Sequence, residues 1–480
     1  MKREHSFASL QRPLGFRDSQ EAVDTDIFED LSLLRTDEDF ALCADRLEHG
    51  DIPTKLQAAV EIRRTIATAE HGVVDSLVQV GVIPIAIALL GSSSSSRVRL
   101  EAAWLLTTVG EGEYAAVAIS EGALAVLYEA MSDTDDAVET QALWALATLA
   151  SSVEGLASEI AASGFMDRVA TLLDEDPPLD DVRTLAWSAG VIAQSLSGPD
   201  RRHSHAVLPP LGRTLGRLAG NLGDHDSDTA LVDLLIAVAF ISHGGDSDIA
   251  AVCQAGIVPS VVDLVAGPRT VATSAIRVLG NITSSDDNRY IDVVIDALGL
   301  AALVSVLATA PDPLKREALW ALANVAAGTP AQLTAVLNEG ALPLVIRLAE
   351  QGSQGVQQEA LFFIRNFTMN ASLPQLTEAA DLGLIRVLSD SLAARLGRTA
   401  AWFLVAMDCI RNMIAASGTL DPTSNVFLDQ LQSFRGVDRI HRLATHPKNR
   451  VHAAAVGMLE EFGLGDEDEG GIDDGRLSFA

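Results

Sequence analysis

One phrase recurs along this chain: a glycine, two apolar residues, often a proline, then an apolar helix. It reads VGVIPIAIALL, EGALAVLYEAM, SGFMDRVATLL, AGIVPSVVDLV, LGLAALVSVLA, EGALPLVIRLA, LGLIRVLSDSL and RGVDRIHRLA. Its glycines are Gly81, Gly122, Gly164, Gly256, Gly299, Gly340, Gly383 and Gly436, and most neighbouring gaps are 41 to 43 residues. The gap of 92 from Gly164 to Gly256 hides a degenerate copy near HAVLPPLGRTLGRLAG. A unit this short cannot bury its own apolar face, so the copies must stack.

One copy shows the contents of a unit. TPAQLTAVLNEG is a short helix stopped at Gly340, where glycine tolerates a left-handed turn. LPLVIRLAEQ follows with Pro343 in its first turn, and after GSQG comes the long helix VQQEALFFIRNFT. Three helices per unit is the armadillo pattern. The expected fold is therefore all-α, a right-handed superhelical solenoid of about ten repeats over 40–463. Residues 1–39 and 464–480 read as acidic, disordered tails. With 48% hydrophobic but only 5% aromatic residues, the composition suits helices packed through small side chains.

Other classes fall away. The formal charge of −31 repels phosphate backbones, so nucleic acid is not an expected partner. No apolar run is long enough to cross a bilayer, and no signal peptide opens the chain. Cys43, Cys253 and Cys409 form no CxxC pair and read as buried thiols. His203 and His205, in the basic patch GPDRRHSHAVLPP, lack further ligands and read as loop residues. No phosphate loop, HExxH, GxSxG or catalytic set is visible, so no enzyme, cofactor or metal site is expected.

The third helices carry the functional signal. At the pitch of the repeat they present Trp104 with Thr108, Trp144 with Thr148, Trp187 with Val191, Ile236 with Phe240, Arg277 with Asn281, Trp320 with Asn324, Phe362 with Asn366, and Asp408 with Asn412. Positions four apart share a helix face. A large side chain paired with an amide once per repeat therefore forms two parallel rows. An amide row can hold the main chain of an extended peptide, donor and acceptor alike. Indoles can pack on Lys or Arg stems, each cation adding about 0.5–2 kcal/mol.

Here the chain resembles the importin-α (karyopherin-α) family, from about residue 43 to 463. The resemblance shows in GVIPIAIALL, IRVLGNI, ALWALANVAAGTPAQLTAVLNEGALPLVIRL and AAAVGMLEEFG. It implies an adaptor, shared between cytoplasm and nucleus, that binds basic nuclear-localisation peptides in its groove. It also implies importin-β and an export receptor as partners.

By that resemblance the principal site spans the second to fourth repeats. Trp104, Trp144 and Trp187 survive there, while Thr108, Thr148 and Val191 replace asparagines and Ser152 replaces a carboxylate. The second site is fuller. Arg277, Asn281, Asp287, Glu317, Trp320, Asn324, Glu359, Phe362 and Asn366 match its pattern, so peptide binding is expected to centre on repeats six to eight. The family's basic amino-terminal segment has no counterpart among residues 1–39, which leaves open an armadillo scaffold that takes no part in transport.

Overall fold

A computed structural model describes residues 33–68, 72–93, 95–393, 399–418 and 424–464. Most of the expected tails lies outside the described residues. The first described helix, Asp37–His49, begins three residues before the expected start of the array, because Thr36 caps it in a reciprocal capping box with Asp39. Among the described residues the regular elements are all helical. The chain is an armadillo-repeat solenoid, and none of its described helices is long and apolar enough to cross a membrane.

The repeat around Gly340 shows how sequence sets each element. Thr329 caps Pro330–Asn338, with Gln332 answering in a capping box and Pro330 at the first helical position, where no N–H is needed. Gly340 then turns at φ 76, a left-handed conformation that glycine adopts without penalty. Ala341–Gln351 and Gln354–Asn370 follow. They bury Val345 and Ile346 from one helix and Phe363, Ile364 and Phe367 from the other. The long third helix is the inner helix named below.

Two of the eight recurrent glycines depart from this scheme. At the fifth and eighth copies the left-handed residue is Leu298 (φ 62) and Arg435 (φ 58), and Gly299 and Gly436 are already helical. Gly436 is required by packing instead: an added Cβ would lie 2.2 Å from the Leu431 side chain.

The chain divides into two compact units, the cut falling between Ile282 and Thr283. In the first, the inner helices Ser96–Val109, Asp136–Ser152, Leu179–Ser195 and His225–Ser242 pack successively on one another. In the second, Asp312–Ala326, Gln354–Asn370, Ala400–Ala416 and Asn449–Glu461 do the same.

The degenerate copy holds the first unit together in its own way. The basic patch is a 3-10 helix over Gly198–Val207, not a loop. All five guanidinium donors of Arg201 are engaged. Nε donates to Asp248 at 2.5 Å, Nη1 to the carbonyls of Ala193 and Leu196, and Nη2 to those of Phe240 and Ile241. One arginine thus caps the ends of two neighbouring inner helices, whose last carbonyls lack intrahelical donors. His205 shares a 2.6 Å hydrogen bond with the other Asp248 oxygen.

Candidate functional site

The two rows do not face the same surroundings. In the first unit Trp104, Trp144 and Trp187 are half-buried on successive inner helices, so their indoles reach solvent. The Trp144 and Trp187 rings meet edge to face, with centroids 6.4 Å apart at 76°. That contact packs the indoles of two successive inner helices against each other. The Arg63 guanidinium lies over Trp104, 5.9 Å from the ring centroid, and its Nη2 donates to Glu101 at 2.8 Å.

The lost amide positions in this unit have turned inward. Thr108 and Thr148 donate their hydroxyls to the carbonyls of Trp104 and Trp144, one turn back in the same helix. Ser152, where the resemblance implies a carboxylate, donates to the carbonyl of Gly110, which caps the end of the preceding inner helix, at 2.7 Å. These groups stabilise helices and layers and offer no donor to a peptide.

The amides expected to line an open groove are nearly enclosed in the structure. Asn281, Asn324 and Asn366 are 2%, 1% and 5% exposed. Asn281 Nδ2 donates to the Ala239 carbonyl at 2.9 Å and to the Ser242 hydroxyl at 3.0 Å. Asn366 Nδ2 donates to the Ala323 carbonyl at 2.7 Å. Both carbonyls belong to the preceding inner helix and already accept a main-chain N–H of their own, from His243 and Ala327. A second lone pair on each makes the extra bond possible. The cause is plain: an amide in an apolar layer must be satisfied, and the adjoining helix end supplies the acceptor. Asn370 and Asn412 continue the pattern, to the Ala326 carbonyl at 3.0 Å and the Thr368 hydroxyl at 3.2 Å. Sequence reasoning found the row and missed this use of it.

The other expected residues divide similarly. Trp320 is fully buried and Glu359 nearly so, while Arg277, Glu317 and Phe362 are half-buried. Asp287 caps Asn288–Asp296 and pairs with Arg289 at 2.6 Å, which explains its place without a ligand. Arg277 and Asn281 belong to the first unit, the remaining seven residues to the second.

Against this geometry stand the comparisons with known proteins. The Armadillo/beta-catenin-like repeat family matches residues 287–327. Importin subunit alpha-1a of Oryza sativa subsp. japonica is 27% identical over 421 residues, covering 86% of this chain and 78% of its own. Importin subunit alpha-4 of Arabidopsis thaliana is 26% identical over 439 residues, 89% of this chain and 80% of its own. The chain resembles the importin-α family. A crystal structure of an engineered protein is 25% identical with a TM-score of 0.73, covering 89% of this chain and 99% of that one. Fold and importin-α relatives alike are those of binding proteins, not enzymes.

The electrostatics of the inner helices bear on what they could hold. Many inner carboxylates already have an arginine of the same chain: Glu101 with Arg63, Glu139 with Arg168, Asp233 with Arg183 at 3.1 Å, and Asp408 with Arg365 at 3.3 Å. Burial pushes the Asp233 carboxyl up to about 6 against the opposing pull of Arg183. Burial also raises Asp181 to about 6, with Asp180 and Asp136 adding like-charge repulsion. The thiols of Cys43 and Cys253 are raised to about 11 and that of Cys409 to about 12 by burial, so they stay protonated at neutral pH. Among the described residues no three His, Cys, Asp or Glu side chains gather as a metal site.

Proposed function

We propose that this protein is an importin-α-like adaptor that takes basic, nuclear-localisation-type segments in extended form against its inner helices, for nuclear protein import. The observation that carries the reading is the row of solvent-reaching indoles Trp104, Trp144 and Trp187, set in a chain of charge −31. Indole faces attract ammonium and guanidinium groups, and the attraction grows as both are desolvated. In this reading binding centres on the first unit. The set from Arg277 to Asn366 takes second place, because a cation cannot reach a fully buried Trp320 without opening the layers. The partners are basic segments of cargo proteins, with importin-β and an export receptor completing a cycle between cytoplasm and nucleus.

Calorimetry with an oligo-lysine peptide tests the proposal. Binding that weakens in Trp144→Ala and persists in Trp320→Ala supports it; no binding to the unaltered protein overturns it. Capture of importin-β by the full chain is the separate test of transport.

One observation favours the second reading, an armadillo scaffold outside transport. Thr108 and Thr148 direct their hydroxyls within their own helices, so the inner helices that carry Trp104 and Trp144 offer no amide at these positions to clamp a peptide main chain. A scaffold would keep its partner when excess oligo-lysine is added, whereas the adaptor would release it.

A further inference from the structure

Arg63 occupies a position that an external ligand would want. It stands on the inner helix Ile52–Thr68 and reaches across to the next inner helix, Ser96–Val109. There its guanidinium covers the Trp104 ring at 5.9 Å while donating to Glu101 at 2.8 Å. Trp104 and Glu101 are three apart, one turn of the same helix face, and so present an aromatic wall beside an anion. Such a wall and anion together are the chemistry that recognises the head of an arginine or lysine side chain. The Arg63 and Glu101 side chains are only 11% and 16% exposed, so the contact is sheltered from the screening that weakens surface ion pairs.

We propose that Arg63 is a built-in competitor: it fills the Trp104–Glu101 slot with the chain's own guanidinium and so sets where a basic segment can begin to bind. An external cation gains at this slot only what remains after Arg63 is displaced. A bound segment therefore starts at Trp144, and affinity for short basic peptides is held down. The inference deepens the proposed function and rests on it for the identity of the external ligand, a guanidinium or ammonium on an extended chain.

The test removes the competitor while keeping its bulk. Arg63→Met and Arg63→Gln retain most of the aliphatic stem, and circular dichroism melts confirm that both fold. Two readouts are taken. The first is quenching of Trp104 by caesium, obtained as the difference between each protein and its Trp104→Phe counterpart. The second is binding of an oligo-arginine peptide by calorimetry. Caesium quenching of Trp104 is expected to rise in both Arg63 variants. The peptide is expected to bind about three- to tenfold tighter than to the unaltered protein, from one cation–π contact and one charged pair released. The gain should vanish in Arg63→Met/Trp104→Ala, the cycle that isolates the pair. Unchanged quenching, or unchanged affinity in variants that bind the peptide, overturns the proposal. Absence of peptide binding in every protein, unaltered and variant alike, overturns the adaptor reading instead, and quenching alone then decides whether Arg63 closes the slot.

Discussion

At the scale of single residues, the same side-chain type does opposite work in the two units. Trp144 reaches solvent and Trp320 does not, although sequence gives them near-identical neighbours, QALWALATLA and EALWALANVA. Trp320→Ala should therefore cost about 3–5 kcal/mol of stability, the usual range for deleting a buried indole, and thermal melting reads it directly. Trp144→Ala should melt close to the unaltered protein while losing oligo-lysine affinity. Asn366→Ala leaves a buried amide bond unmade and should destabilise by about 1–3 kcal/mol whether or not peptide is present. A melt unaffected by Asn366→Ala would show that the bond to Ala323 contributes nothing. The asparagines were legible as a row, because they recur at the pitch of the repeat. Their partners were not, because a main-chain carbonyl some 43 residues earlier leaves no mark in composition or spacing.

At the scale of elements, the repeat phrase was legible wherever a left-handed turn demanded glycine, as at Gly340 and Gly383. It slipped by one residue at Gly299 and Gly436, where Leu298 and Arg435 take the turn at an energetic cost that packing must offset. The hub at Arg201 was read from sequence only as a basic patch, since its five acceptors come from three separated segments. Its neighbour Gly244 has no room for a side chain: an added Cβ would lie 1.8 Å from Arg201 Nε and 1.9 Å from Asp248 Oδ2. Gly244→Ala should therefore displace Arg201 and lower the melting temperature. Hydrogen exchange should speed up most at the ends of Leu179–Ser195 and His225–Ser242. Exchange that rises evenly along the chain would count against a local hub. On the helix Leu179–Ser195, Asp181 gives a pH signature. Burial pushes its folded carboxyl up to about 6 from the ordinary 3.8, so the folded state holds a proton that the unfolded chain has lost between those values. Stability should fall as pH rises through that window and level off above it. Asp181→Asn should then raise the melting temperature at pH 7 to 8 and change it little at pH 4.

At the scale of the molecule, charge and stacking act separately. A chain of −31 draws basic segments over distances set by the Debye length, about 10 Å at 0.1 M salt, so oligo-lysine affinity should drop steeply between 0.05 and 0.5 M sodium chloride. A flat salt response in calorimetry would mean that the stacking contacts act alone. The armadillo class was legible at this scale because eight phased copies leave no other way to bury their faces, whereas the closeness of the inner carboxylates to arginines of adjoining layers was not. Stacked repeats depend on nearest neighbours, so each bond from Asn281, Asn366, Asn370 or Asn412 to the helix before it acts as a rivet between floors. Asparagine at these places therefore has a cohesive task that needs no ligand, and removing one should loosen the two floors it joins before any more distant pair.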